Sequence, residues 1–187
     1  MPGEVLEVRS MLSDRVLKDL GRAYRQCLNK QAAAFDRLAQ KGQRPDGPRG
    51  PWIGREAEKN WVSSDLKKNC GVDLSSDDAI SADAITAVSN LGDPRRTDAV
   101  VLIAGETVEF ELKKSDYGGT RAKYQLASQV FDLGLGSRGA TALYVIYGET
   151  GRIDVYSYED AKRVVDAELA SGPGSVFEVP TPRSISF

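Results

Sequence analysis

Residues 108–113, VEFELK, alternate apolar and charged side chains in the pattern of a half-buried β-strand. In that conformation Glu109, Glu111 and Lys113 share one face, while the apolar residues between them pack on the other. Like charges two residues apart on a strand are costly unless another group shares the charge. The spacing therefore singles out this strand as a candidate site of chemistry.

A further acidic residue lies within reach of this strand. Residues 97–115, TDAVVLIAGETVEFELKKS, predict a hairpin of two apolar strands with its turn at AGET. Asp98 begins the first strand, so antiparallel pairing sets it beside Glu111 and Lys113 and away from the turn. We therefore predict that two carboxylates and one ammonium group converge at the open end of the hairpin.

Crowded carboxylates of this kind suit a shared divalent cation. Mg²⁺ prefers oxygen ligands and typically takes one or two carboxylates together with water and phosphate oxygens. The ion can polarise a phosphodiester and lower the pKa of a bound water, while Lys113 can orient that water or neutralise charge on the phosphorane. The alternative is that Glu111 and Lys113 are exposed strand charges paired with neighbouring strands. Glu109 is interpreted as an outer or supporting residue.

The composition of the 187-residue chain limits which other chemistries are possible. It contains no histidine, which excludes Ser-His-Asp and Cys-His nucleophile systems and histidine-ligated metal nucleases. Its two cysteines, Cys27 and Cys70, form no CxxC pair, which favours free thiols over a zinc site or a disulfide. Any hydrolysis must therefore depend on carboxylates, lysines, hydroxyl groups or a hard metal ion.

Charge and hydropathy indicate a globular chain with an uneven charge distribution. Apolar residues make up 41% of the chain, which is enough for a packed core. The net charge is −2, but the first 70 residues are basic in balance and the remainder is acidic. The sequence has neither a stretch of about 18 apolar residues nor the layout of a signal peptide. We therefore expect a soluble, cytoplasmic protein with no membrane partner.

The flanking sequence predicts the elements that would hold the hairpin. Residues 11–41 predict a helix with Ser13 as its N-cap and a basic face, and residues 41–54 predict a Pro/Gly-rich connector. Residues 55–71 predict a second helix, on which Glu58 continues the apolar stripe. A helix, two strands, another helix and an extended tail follow the hairpin. This order predicts an α/β (α+β) fold with a mixed β-sheet flanked by helices.

The Pro/Gly-rich connector divides the chain into two predicted parts. Residues 1–50 form a basic N-terminal helical extension with its Pro/Gly-rich linker, and residues 51–187 form the core with its extended C-terminal tail. Gly21 is expected to weaken or divide the helix of the extension. That helix grips phosphate groups, forms a dimer contact or exposes its basic face to solvent, and the sequence leaves these three alternatives open.

The segment TDAVV…VEFELKK resembles the PD-(D/E)XK nucleases, the restriction-endonuclease-like fold of type II restriction enzymes and Holliday-junction resolvases. The resemblance implies that Asp98 is the first acid of the motif, Glu111 its second and Lys113 its lysine. It covers roughly residues 54–158. Thr97 precedes Asp98 in place of the proline in the motif name, a departure found in many members of the family.

The same resemblance implies further site residues outside the hairpin. The family often adds a glutamate from an early helix facing the sheet, and Glu58 fits that place. It also often uses a polar residue on the helix after the lysine strand, for which Gln125 and Lys123 are candidates. The expected catalytic residues are Asp98, Glu111, Lys113, Glu58 and Gln125. The expected metal ligands are Asp98, Glu111 and Glu58.

The resemblance implies a Mg²⁺-dependent endonuclease, with Mn²⁺ able to substitute. It would cut double-stranded DNA as a homodimer, in the manner of a small type II restriction enzyme. Two alternatives stay open: a toxin-type or junction-resolving nuclease acting on DNA or RNA, and a non-catalytic relative that only binds nucleic acid. The expected DNA contacts are basic residues on the first helix and around the motif: Arg22, Arg25, Arg95, Arg96, Lys114, Arg121 and Lys123.

Overall fold

Four helices and six strands lie within the part of the chain that the computed structural model describes. The described residues are 11–62, 86–87, 97–103, 106–115, 119–136, 138–172 and 177–187. The helices are α1 (Asp14–Gln40), α2 (Arg49–Asn60), α3 (Thr120–Leu135) and α4 (Tyr158–Ser171). The strands are β1 (Thr86–Ala87), β2 (Ala99–Ile103), β3 (Glu106–Lys113), β4 (Ala140–Tyr147), β5 (Arg152–Ser157) and β6 (Arg183–Ser186). None of these helices is both long enough and apolar enough to span a bilayer.

The strands form one mixed sheet in chain order from β1 to β6. β3 and β4 pair in parallel, with α3 as the crossover that parallel pairing requires, and the other neighbouring pairs are antiparallel. The hairpin predicted at AGET is present, with Ile103 opposite Glu106 and Ala99 opposite Phe110. The prediction of a mixed sheet flanked by helices is therefore confirmed at the level of architecture.

The sheet separates two apolar cores. On one face, the apolar residues of α1 and α2 form one cluster with those of the sheet. Trp61 lies there between Tyr24 and Phe110 at ring separations of 6.3 and 5.3 Å. On the other face, α3 and α4 pack around Leu143 of β4. Residues 14–40 were predicted as part of an extension. They instead form a helix that packs on one face of the sheet and contributes to its core. Because side chains alternate along β3, its charged residues face α3.

α1 begins at its predicted cap and runs on without a break. The Ser13 Oγ accepts a hydrogen bond from the Val16 N–H at 3.3 Å, as expected of an N-cap. The predicted weakness at Gly21 does not divide the helix. A Cβ at Gly21 would lie 2.7 Å from the ring of Phe187, so this glycine allows a close approach of the aromatic ring to the helix.

α2 begins at Arg49, earlier than the predicted start at residue 55, and takes in part of the predicted connector. Pro51 falls in its first turn, where backbone N–H groups have no partner within the helix. Proline is tolerated at such positions. Part of the Pro/Gly-rich segment therefore begins a helix, although its composition predicts a loop. The predicted helix end at residue 71 lies outside the described residues.

The C-terminal tail ends in a strand of the sheet, whereas the sequence predicts an extended surface segment. β6 pairs with β5, which places the buried Ile185 opposite Ile153. The Phe187 N–H donates to the Gly151 carbonyl at 2.9 Å, and the Phe187 ring lies 5.0 Å from the guanidinium carbon of Arg25. The tail therefore covers one edge of the sheet and contacts α1.

Two helical glycines are expected to respond oppositely to alanine. A Cβ at Gly134 of α3 would lie 2.5 Å from the Ala161 carbonyl oxygen of α4, so Gly134→Ala should destabilise the protein by about 1–3 kcal/mol. At Gly54 of α2 no described atom lies within 4 Å of the Cβ position, and Gly54→Ala should stabilise it by about 0.5–1 kcal/mol. Thermal melting of both variants checks the pair. Shifts of the same sign would contradict the packing described for α2 and α3.

Candidate active site

Asp98 lies at the open end of the hairpin, as antiparallel pairing of its two strands predicts. Its Oδ2 accepts a hydrogen bond from the Leu112 N–H at 2.7 Å, which ties it to the strand that carries Glu111 and Lys113. Asp98 is 4% exposed and Glu111 is 2% exposed. Acidic residues are almost never this buried without a partner. The alternative that Glu111 is an exposed strand charge is therefore wrong.

Lys113 links the acidic pair to α3. Its Nζ lies 2.9 Å from Glu111 Oε1 and donates to Gln125 Oε1 at 2.9 Å. Gln125 thus occupies the place that the resemblance implies for a polar residue on the following helix. Gln129, one turn later, donates through Nε2 to Glu111 Oε2 at 3.0 Å. Gln129 was not among the predicted site residues, although its spacing of four residues from Gln125 puts both amides on one side of α3.

Both motif carboxyl groups have raised pKa values. Burial is the main cause of the rise in the pKa of Asp98 to about 7, and the charge of Glu58 adds to it. Burial likewise raises the pKa of Glu111 to about 7, with the charge of Asp98 as the next cause. Lys113 opposes both shifts. Perturbed carboxyl groups of this kind concentrate at functional sites.

Glu58 of α2 completes the acidic cluster, which we define as Glu58, Asp98 and Glu111. The Glu58 and Asp98 carboxyl groups hydrogen-bond to each other. Burial raises the pKa of Glu58 and this hydrogen bond lowers it, whereas the same bond raises the pKa of Asp98. Two carboxyl groups can share a hydrogen bond only when one of them is protonated, so burial and mutual repulsion favour one proton shared by the pair. A divalent cation held by the pair would take over the neutralising role of that proton.

The acidic cluster fits a magnesium site with few protein ligands. Within the described ranges, no three His, Cys, Asp or Glu side chains form a group that could hold a metal by themselves. Mg²⁺ usually takes only one or two carboxylates and completes its coordination with water and substrate oxygens. Asp98 and Glu111 meet that smaller requirement. Because the chain has no histidine, hard oxygen donors are the chemistry that the cluster offers.

Glu109, the first acid of the charged row, belongs to a separate ion-pair network. Arg138 reaches two carboxylates, with Nη1 at 2.6 Å from Glu109 Oε1 and Nη2 at 2.6 Å from Asp132 Oδ2. Thr97 Oγ1 donates to the same Glu109 oxygen at 3.4 Å. Burial raises the pKa of Glu109 to about 7, and Arg138 opposes that rise. Thr97 and Arg138 thus hold Glu109 in this network, on the same face of β3 as Glu111.

The basic residues beside the motif differ in their surroundings. Arg121 and Lys123 are exposed near the start of α3, the helix that carries Gln125. Lys114, directly after β3, forms an ion pair with Glu149 at 2.9 Å. Arg121 and Lys123 are therefore the more accessible charges beside the acidic cluster.

The basic residues expected to bind DNA from other segments are also dissimilar. Arg25 Nε donates to the Gly148 carbonyl at 3.0 Å, so this guanidinium ties α1 to the segment after β4. Arg22 is exposed and forms an ion pair with Asp19 at 3.2 Å. Arg95 and Arg96 lie outside the described residues. Arg22 is therefore the more accessible member of the predicted pair on α1.

Comparison with known proteins identifies no relative. The chain matches no family model, no curated protein and no solved structure. Any assignment of function must therefore be argued from the residues of the acidic cluster, their burial and their contacts.

Proposed function

We propose that the protein is a metal-dependent endonuclease with a PD-(D/E)XK active site on a restriction-endonuclease-like fold. One observation carries the proposal: the buried carboxylates of Asp98 and Glu111 converge with Lys113 at the open end of one hairpin. Asp98 is bonded to the β3 backbone at 2.7 Å, and Lys113 Nζ lies 2.9 Å from Glu111. An acid directly before one strand, Glu-x-Lys on the next and helices on both faces of a mixed sheet support this assignment.

Each side chain has a distinct role in the proposed hydrolysis. Asp98 and Glu111 would bind Mg²⁺, with Glu58 adjoining Asp98. When bound, the ion would polarise the scissile phosphodiester and lower the pKa of a coordinated water. The Lys113 ammonium, held by Glu111 and Gln125, is positioned to donate hydrogen bonds to the attacking water or to the oxygens of the phosphorane.

We propose double-stranded DNA as the substrate and a homodimer as the active form, as in small type II restriction enzymes. Arg121 and Lys123 supply exposed positive charge on the helix that carries Gln125, which supports contact with a phosphate backbone. A two-fold dimer matches the symmetry of a two-fold cleavage site. A toxin-type or junction-resolving nuclease would use the same chemistry on another substrate. A non-catalytic binder would have no need of the buried Asp98–Glu111–Lys113 set.

Metal dependence tests the proposal. The purified protein should cut supercoiled plasmid in Mg²⁺ or Mn²⁺, and EDTA should abolish cutting. Ca²⁺ should support DNA binding with little cleavage, because its looser coordination does not hold the water for in-line attack.

The products distinguish the candidate nucleases. Discrete fragments indicate a restriction enzyme, and a smear indicates a non-specific nuclease. Full activity in EDTA would contradict the metal site, whereas binding without cleavage in every metal would indicate the non-catalytic alternative.

A further inference from the structure

α3 lies against β3 through three successive polar contacts, which we call the α3–β3 ladder. The ladder joins Gln125 to Lys113, Gln129 to Glu111, and Asp132 to Glu109 through Arg138. The helix and the strand run in opposite directions along it. Two strand residues rise about 7 Å, whereas the helix rises about 6 Å from Gln125 to Gln129 and about 4.5 Å from Gln129 to Asp132, and Arg138 bridges the remaining distance at the third contact.

The third contact of the ladder differs from the other two in its charge. Glu109 and Asp132 would bring two carboxylates together, and they are 2% and 8% exposed. Arg138 lies between them and presents one guanidinium nitrogen to each carboxylate at 2.6 Å. Each of the first two contacts joins one charged group to a neutral amide, whereas the third joins opposite charges through a forked guanidinium, which adds strength and direction. Arg138 therefore provides the firmest connection in the ladder.

The same connection bears on the first acid of the motif. Thr97 Oγ1 donates to the Glu109 oxygen that Arg138 also contacts, and Thr97 directly precedes Asp98. A displacement of Glu109 would thus affect the start of β2 as well as the position of α3. Arg138 is thus connected, through Thr97 and through β3, to the two segments that carry Asp98, Glu111 and Lys113.

We propose that Arg138 is a positioning residue that sets the register of α3 on β3 and thereby the placement of Glu111 and Lys113. The inference rests on the proposed nuclease activity. If α3 shifted along β3 by the length of one strand residue, the contacting atoms would move apart by about 3.4 Å, which is enough to separate Gln129 from Glu111. Misplacement of reacting groups by about 1 Å can cost two orders of magnitude in rate, so a looser ladder should slow catalysis more than it weakens binding.

Arg138→Lys, Arg138→Met and the control Arg163→Met test this role. Lys keeps the charge but lacks the planar fork that presents one nitrogen to each carboxylate, and Met removes the charge. Arg163 is an exposed arginine of α4 that pairs with Asp160 at 2.8 Å, outside the ladder. Single-turnover cleavage at saturating DNA, DNA affinity in Ca²⁺ and hydrogen exchange of α3 amides are measured below the melting temperature of each variant.

The two Arg138 variants should cut about 10-fold more slowly or worse, with DNA affinity within about twofold of wild type. Exchange near Gln125 and Gln129 should be faster than in wild type, while Arg163→Met should match wild type in all three measurements. A folded Arg138→Lys variant with wild-type rate would overturn the inference, and so would a loss confined to DNA affinity. A wild type that does not cut overturns the proposed function instead. In that case, unchanged hydrogen exchange of the α3 amides in the Arg138 variants would separately contradict the role of Arg138 in the ladder.

Discussion

Lys113→Ala is expected to cut DNA slower than wild type by a factor of about 10² or more, while its affinity for DNA changes little. The Lys113 ammonium lies inside the acidic cluster, at 2.9 Å from both Glu111 and Gln125. A charge in that position acts mainly on the negative charge that develops in the transition state. Single-turnover rates in Mg²⁺ and binding in Ca²⁺ separate the two effects.

Lys114→Ala is the matched control for this experiment. The residue is the next lysine in the chain, and it forms an ion pair with Glu149 at 2.9 Å. Because Lys114 is an expected DNA contact, its removal should weaken binding and leave the cleavage rate at saturating DNA within a small factor of wild type. Equal losses at Lys113 and Lys114 would mean that the two lysines act as general positive charge, and the assignment of Lys113 to the motif would be wrong.

Asp98→Asn is expected to abolish cleavage and, at about pH 8, to stabilise the metal-free protein by on the order of 1 kcal/mol. The asparagine keeps an oxygen for the Leu112 N–H and offers an N–H donor to Glu58, while it removes one of the buried charges. The corresponding rise in melting temperature is roughly 2–4 °C for a chain of this size. Mg²⁺ should stabilise the wild type and should do much less for the variant.

The pH dependence of that stability has a definite sign. The pKa of Asp98 and of Glu111 is raised to about 7 in the folded protein, so the folded state binds more protons than the unfolded state below that value. The two carboxyl groups contribute their full stabilisation below the ordinary carboxyl pKa of about 4, and this stabilisation is lost as the pH rises through about 7. Metal-free wild type should therefore lose stability between about pH 5 and pH 8, and Asp98→Asn should lose less.

Asp166→Asn is the control for these melting curves. Asp166 is an exposed acid of α4 that pairs with Lys162 at 2.6 Å, far in the chain from the motif. Asp166→Asn should leave the response to Mg²⁺ unchanged. If Asp98→Asn instead melts below wild type in EDTA, the carboxylates of the cluster are structural partners and do not form a metal site.

The strands and the convergence of the motif residues were predictable because they follow from local periodicity. Alternation in β3 defines its charged face, and the length of the hairpin places Asp98 beside the far end of β3. The helix after the hairpin follows from local pattern as well, whereas Gln125 was singled out only by the family resemblance. These features need only the spacing of residues within about 20 positions of one another.

The missed features depend on contacts between distant segments. Arg138 lies 29 residues beyond Glu109 in the chain, and nothing in its local pattern marks it as the partner of two buried carboxylates. Arg25 meets its carbonyl partner at Gly148, a separation of 123 residues. The start of α2 was missed for a different reason, because proline in a first helical turn has the same appearance as proline in a loop.

The most direct test compares plasmid cleavage by wild type and Glu111→Gln, purified in parallel and assayed in Mg²⁺. Glutamine keeps the size of the side chain and an oxygen for the Lys113 ammonium, but it removes the buried carboxylate. The proposed site predicts nicked or linear plasmid with wild type and unchanged supercoiled plasmid with Glu111→Gln. Equal cutting by both proteins, or no cutting by wild type, would contradict a metal-dependent nuclease site at Asp98, Glu111 and Lys113.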